Sequence, residues 1–192
     1  MHTLKRVAKQ ILLRPKGLEM GEGSVIWFPR VIDGAERIKM GAGSRIWRHA
    51  KLNAMKSHAG VELNGRIELG DDVYVGGYAQ IFAMGLIKIG DGSVLSEHVY
   101  ISDAAHGFCP RSGPILEQPL ESKGPVILGK RVFVGFGASV LPGVELGDGC
   151  IVGTRSVVTR SFPAGSVIGG APARLLKRNP ELISPVAVRR VA

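Results

Sequence analysis

LGKRVF (128–133), VGFGAS (134–139), VLPGVE (140–145), LGDGCI (146–151), VGTRSV (152–157) and VTRSFP (158–163) form one unbroken run of hexads. An aliphatic residue opens each of them: Leu128, Val134, Val140, Leu146, Val152 and Val158. The fifth places hold Val132, Ala138, Val144, Cys150, Ser156 and Phe162, mostly small. From a fifth place to the next first place is two residues, the period that puts both side chains on one face of a strand. A corner lies between first and fifth places. Glycine fills the second place at Gly129, Gly135, Gly147 and Gly153, where it is expected to supply backbone angles that a side chain would penalise. Three short strands and three corners close a coil of three hexads. No single coil buries its own interior, so successive coils must stack. A β-sandwich or barrel is the competing architecture, but its turns come about every 8–12 residues and do not hold phase at six. The run predicts an all-β solenoid of hexapeptide repeats.

Working back towards the N-terminus, the hexads stop between Val126 and Ile101. The segment from Asp103 to Gly124 carries three prolines and no aliphatic residue at sixes, which predicts a long loop leaving the coil, and such loops are usually functional. Regular coil resumes over Leu69 to Ile101. Met20-Gly-Glu-Gly-Ser24-Val-Ile-Trp27 recurs as Met40-Gly-Ala-Gly-Ser44-Arg-Ile-Trp47, which reads as the first two turns. Arg30, Glu36 and Lys56 fall at fifth places there, so those corners must turn outward rather than bury charge. Between Lys51 and Arg66 the phase is lost. Residues 2–16 place Leu4, Val7, Ala8, Ile11 and Leu12 on one helical face, with Lys5, Arg6 and Lys9 elsewhere. This predicts a short amphipathic helix that packs on the first coil or on a neighbouring subunit, with contact to a membrane surface as the alternative. The expected division is an N-terminal segment (1–17), a β-helix domain (18–170) with its loop at 103–124, and a C-terminal tail (171–192).

The 192 residues suit one domain, and 45% hydrophobic with 21% charged residues suits a soluble globular one. A formal charge of +9 points to an anionic partner, such as a phosphorylated cofactor, a nucleic acid or a membrane surface. No stretch interleaves aromatic residues with Lys and Arg, which argues against nucleic acid. Cys109 and Cys150 fall in the loop and at an inward fifth place, as free thiols of a reducing compartment would. Lys5, Arg6 and Lys9 interrupt the only early apolar run, so no secretory signal is evident and a cytoplasmic location is expected.

Histidine is the side chain whose ordinary pKa suits proton transfer near neutrality. His106 sits where the regular coil gives way to the loop, beside Asp103, although on position alone a plain surface histidine is the simpler reading. His98 reads as an exposed corner residue, and His2, His49 and His58 have no partner by spacing. A histidine metal site needs a tight pair and a third ligand, which the spacing does not supply. Glycine corners such as Gly135-Phe-Gly137 and Gly153-Thr-Arg155 can present N–H groups to a thin ligand, or merely turn the chain. Arg174, Lys177 and Arg178 could meet phosphate.

The family resemblance rests on Ile101-Ser-Asp-Ala-Ala-His106-Gly, Gly124-Pro-Val-Ile-Leu-Gly129, Val132-Phe-Val-Gly135, Leu141-Pro-Gly-Val144, Val152-Gly-Thr-Arg-Ser-Val-Val-Thr159 and Gly170-Ala-Pro-Ala-Arg174. Over about residues 65–178 the chain resembles the hexapeptide-repeat O-acetyltransferases, above all the sugar acetyltransferases of capsule, exopolysaccharide and lipopolysaccharide synthesis. The resemblance implies a left-handed parallel β-helix, normally a homotrimer, with acetyl-coenzyme A in the groove between two subunits and no metal. Handedness comes from the family alone, since crossovers elsewhere are right-handed. By the same likeness His106 removes the proton of an acceptor hydroxyl that attacks the thioester directly; Asp103, by its proximity in sequence, or a loop carbonyl would orient the ring. No acyl-enzyme forms on Cys109.

The donor-binding positions that carry over are Gly135, Phe136, Gly153, Thr154, Thr159, Arg160, Arg174 and Lys177, with Arg160, Arg174 and Lys177 at the phosphates. Phe133 stands where relatives commonly carry Trp, and Phe136 where they carry a small or polar residue. The asparagine that lines the acceptor site of the sugar enzymes has no match near Gly77 to Gln80. The implied activity is acetyl transfer to a carbohydrate hydroxyl. Acetylation of an amino sugar or an antibiotic, and a non-catalytic scaffold, are the alternatives. A γ-type carbonic anhydrase would need three zinc histidines, including a close pair.

Overall fold

In the computed structural model, residues 15–178 are described, and they build three parallel sheets stacked around one interior. The first sheet runs through Glu19–Met20, Ile38–Met40, Arg66–Leu69, Leu86–Ile89, Val126–Leu128 and Glu145–Leu146. The second begins at Val25–Ile26 and reaches Ile151–Val152, then adds Ser166–Gly170 and Ala173–Arg178. The third contains Val31–Asp33, Lys51–Ala54, Gln80–Ala83, Tyr100–Ser102, Ser139–Val140 and Val157–Val158.

Register makes the stacking explicit. In the first sheet Met40, Leu69, Ile89, Leu128 and Leu146 follow one another up the interior. Ile26, Ile46, Val75, Leu95, Val134, Val152 and Ile168 do so in the second. In the third the column is Leu52, Ile81, Ile101, Val140 and Val158. All of these side chains are buried, so each coil completes the core of its neighbour. The fifth-place residues Val132, Ala138, Val144, Cys150, Ser156 and Phe162 are buried too, as the two-residue spacing requires.

The second-place glycines serve a different purpose from the one expected. The left-handed residues of the hexads are the fourth ones: Arg131 and Arg155 at φ 55, Gly137 at 63, Gly143 at 78 and Gly149 at 65. A Cβ on Gly129 would instead stand 2.7 Å from the backbone nitrogen of Asp148, and one on Gly147 would collide with that of Ala164. At Gly129 and Gly147 close approach of the next coil, rather than backbone angle, excludes a side chain, whereas Gly153 has room for one.

Two segments leave the coil. Residues 55–65 carry an antiparallel pair, Ser57–His58 with Val61–Glu62, joined by Ala59 and Gly60 at φ 47 and 77. Two positive φ angles in a two-residue connection match the twist of paired strands. Arg37 pins its base, donating from Nη1 to the carbonyl of Leu63 at 2.8 Å. The expected loop at 103–124 is ordered rather than structureless. Ala105–His106 pairs antiparallel with Leu120–Glu121, and the buried Gln118 donates to the carbonyls of Cys109 and Gly113 while accepting the N–H of Cys109.

Arg30, Glu36 and Lys56 lie outside, as the burial argument demanded, and Glu36 and Lys56 pair at 2.7 Å. Part of the expected C-terminal tail is strand: Ala173–Arg178 folds back antiparallel on Ser166–Gly170. The amphipathic helix expected at 2–16 and the tail beyond residue 178 lie outside the described residues.

Candidate active site

His106 opens onto a cleft of ≈820 Å3 built on the outer face of the third sheet. Outward positions in register along that face, Asp33, Asn53, Phe82 and Ser102, form its floor. Tyr100 adds an aromatic ring 6.0 Å from Phe82, and Leu141 and Pro142 bound the cleft on the side of the later coils. The two excursions supply the walls: Ser57 and His58 from one, Ala104, Ala105, His106 and Leu120 from the other. Short outer strands alone would leave a flat face. The hairpins give it depth.

Asp103 does not orient His106 as the sequence suggested. It is 1% exposed, and its carboxylate accepts the backbone N–H groups of Met84 at 2.7 Å, Gly85 at 2.9 Å and Leu86 at 2.7 Å. The residue that begins the loop is thereby tied to the coil below. What faces His106 instead is His58, with ring centroids 5.3 Å apart and planes crossing at 63°. Sequence reading passed over both His58 and Asn53. Lost phase over 51–66, with Ala59-Gly60 as a two-residue turn, was the available signal for the hairpin.

The remaining predicted positions do not converge within one chain. Gly135, Phe136, Gly153 and Thr154 lie at the edge between the second and third sheets, where Phe136 is exposed. Thr159 and Arg160 follow Val157–Val158 at the opposite edge of the third sheet, and the Arg160 guanidinium sits 5.1 Å from the centroid of the Phe162 ring. Arg174 and Lys177 are exposed on the last strand of the second sheet. His98 is an exposed corner residue at φ 59, as expected, and it stacks on Tyr78 at 4.9 Å.

Cys109 is exposed, and a hydrogen bond from Ser112, with help from the backbone of Arg111, holds its thiol below the usual range. Burial pushes the Cys150 thiol up, and its Sγ lies 3.3 Å from the carbonyl oxygen of Pro163. Among the described residues no group of three or more His, Cys, Asp or Glu side chains could hold a metal ion, and no helix is long and apolar enough to cross a membrane.

Residues 125–160 match the bacterial transferase hexapeptide (six repeats) family. The chain is 36% identical over 121 residues to a protein of Escherichia coli (strain K12) named as a lipopolysaccharide biosynthesis O-acetyl transferase, WbbJ, covering 59% of this chain and 61% of that one. It is 32% identical over 116 residues to one of the same organism named as a colanic acid biosynthesis acetyltransferase, WcaF, covering 60% of each. The chain thus spans about three fifths of the length of these relatives.

Among solved structures, a mutant of AntD, an N-acyltransferase from Bacillus cereus in complex with dTDP-4-amino-4,6-dideoxyglucose and coenzyme A, superposes with a TM-score of 0.70 at 20% identity. The match covers 92% of this chain and 88% of that one. PerB from Caulobacter crescentus, in complex with CoA and GDP-perosamine, gives 0.57 at 21% identity over 92% and 64%. At that identity the likeness is one of fold.

Proposed function

We propose that this chain is a hexapeptide-repeat acetyltransferase, as its match over residues 125–160 and its likeness to WbbJ support, and that it transfers acetyl from acetyl-coenzyme A to a hydroxyl of a carbohydrate on the way to a polysaccharide. The carrying observation is His106, presented by a pinned hairpin at the mouth of a cleft with an aromatic floor. A sugar hydroxyl is too weak an acid to ionise at neutral pH, so a base within hydrogen-bond reach is worth roughly 10²–10⁴ in rate. His106 takes that proton as the hydroxyl oxygen attacks the thioester carbonyl. As the C–S bond breaks, the His106 imidazolium returns the proton to the sulfur, so coenzyme A leaves as the thiol, and an N–H donor steadies the tetrahedral oxygen meanwhile. The faces of Phe82 and Tyr100 suit the apolar face of a pyranose.

Donor binding is assigned to Gly135, Phe136, Gly153, Thr154, Thr159, Arg160, Arg174 and Lys177, with the three cations at the phosphates. Because Gly135, Phe136, Gly153 and Thr154 lie at one edge of the third sheet and Thr159 and Arg160 at the other, the reading favours a groove built between copies of a left-handed coil, as a homotrimer would build it. A reducing, cytoplasmic compartment suits two free thiols. The test is acetyl-coenzyme A consumption against a panel of free, nucleotide-linked and lipid-linked sugars with amino-sugar counterparts. Faster turnover with a hydroxyl acceptor supports the proposal. Turnover with amino sugars only transfers the site to N-acetylation, and no turnover with any of them rejects it.

A further inference from the structure

Asn53 and His58 are the two described residues whose enclosed side-chain polar atoms, Oδ1 and Nε2, meet no protein partner. Buried polar groups are nearly always paired, so each exception calls for a reason. Both belong to the cleft that holds His106. They also come from different places. Asn53 projects from the third sheet in register with Phe82, and His58 comes from the hairpin at 57–62.

The coil does not need that hairpin. Met40 pairs directly with Leu69, the N–H of Met55 still bonds to the carbonyl of Ala83 at 2.8 Å, and residues 56–64 add no strand to the three sheets. Yet the excursion is held firmly: besides the Arg37 bond, the N–H of Leu63 donates to Lys56 at 2.8 Å and that of Gly65 to Met55 at 3.0 Å. An ordered excursion that carries an imidazole to 5.3 Å from His106 has a use outside folding.

We propose that His58 and Asn53 form the acceptor-recognition site opposite His106, and that they select a pyranose by hydrogen-bonding a hydroxyl neighbouring the one acetylated. This rests on the acetyl-transfer reading above. An amide oxygen accepts, and a neutral imidazole nitrogen donates or accepts according to tautomer. Hydroxyls, which do both, satisfy the two atoms. A site built to pair with a hydroxyl discriminates sharply against an analogue lacking it, because its own polar groups are then stranded. His58 and Asn53 thus bind and orient the sugar, and the base is His106 alone.

The experiment has two readouts on the full chain. Methyl pyranosides of the gluco, galacto, manno and rhamno series, with their single-deoxy analogues, are titrated into protein labelled with nitrogen-15 histidine while the ring signals of His58 are followed. The same sugars are offered as acceptors with acetyl-coenzyme A. At least one series is expected to shift the His58 Nε2 signal saturably. Asn53→Ala weakens that binding, and His58→Phe, which keeps a ring against His106, raises the acceptor KM, each by about 10–100-fold with the KM for acetyl-coenzyme A unchanged. Both penalties vanish for the analogue that lacks the contacted hydroxyl. Turnover whose acceptor KM stays within about twofold in both variants overturns this inference and leaves acetyl transfer standing. Penalties of equal size for every analogue also overturn it, because they mark a packing role. A saturable His58 shift without thioester consumption overturns acetyl transfer, and with it the acceptor role of His58 and Asn53, and leaves them a sugar-binding pair only. Neither signal with any series overturns both.

Discussion

The carboxylate of Asp103 accepts the backbone N–H of Leu86 at 2.7 Å, so the residue that starts the His106 loop is fastened to the coil beneath it. With Met84 and Gly85 it serves three donors. Asp103→Ala strands them, and a loss of about 3 kcal/mol in unfolding free energy is expected. Asp103→Asn, which keeps one acceptor oxygen, loses less. Urea unfolding alongside pH–rate profiles distinguishes anchoring from an effect on the imidazole. Anchoring lowers stability in both variants and leaves the profile of Asp103→Asn in place, whereas a shifted profile at unchanged stability contradicts it.

Gly135 and Gly153 were both assigned to the donor groove, but their surroundings differ. A Cβ on Gly135 would stand 2.8 Å from the nitrogen of Thr154 and the carbonyl oxygen of Val152, whereas the nearest atom to one on Gly153 is 3.4 Å away. Gly135→Ala is expected to lower the melting temperature by several degrees, the response to about 1–3 kcal/mol of overpacking. Gly153→Ala is expected to fold normally, so any loss of coenzyme A affinity it causes reports on the groove. Equal melting temperatures for the two variants would contradict the stacking geometry.

Ser93 is fully buried, donating to the carbonyl of Gly129 at 3.1 Å and accepting the N–H of Val132 at 3.0 Å. One hydroxyl therefore bridges two coils across the long excursion. Ser93→Ala leaves both backbone groups unpaired and is expected to cost about 1–3 kcal/mol. Ser161→Ala, whose hydroxyl accepts the N–H of Glu145 at an exposed site, is expected to cost about 0.5 kcal/mol. Chemical denaturation of the pair checks the order.

With its pKa lowered by Ser112, Cys109 is more fully thiolate at neutral pH than an ordinary exposed thiol. Iodoacetamide is expected to label it several-fold faster than a peptide thiol at pH 7, and Ser112→Ala is expected to slow labelling. Direct transfer to the acceptor makes no covalent use of the thiol. Cys109→Ser accordingly keeps turnover within about twofold, and an abolished rate in this variant would point to an acyl-enzyme.

The coil was legible wherever its period was strict. From Leu128 to Pro163 each inward place could be named from spacing, because a hexad leaves no freedom in which side chain meets the one below. The role of glycine was misread, since a sequence displays the small residue without saying whether angle or crowding demands it. Asp103 looked like a partner of His106 because it is three residues away. Its actual contacts, with Met84, Gly85 and Leu86, depend on coil-to-coil register across the loop. Asn53 and His58 were missed for a related reason. The third sheet brings Asn53 beside Phe82, and the hairpin carries His58 over it, juxtapositions that no local pattern encodes.

The central claim, that His106 removes the acceptor proton, is tested most directly by His106→Ala under saturating acetyl-coenzyme A, with coenzyme A affinity measured in parallel. The account predicts a fall in kcat of about 10²–10⁴ with the dissociation constant for coenzyme A changed by less than about twofold. Turnover equal to that of the unaltered protein would contradict it.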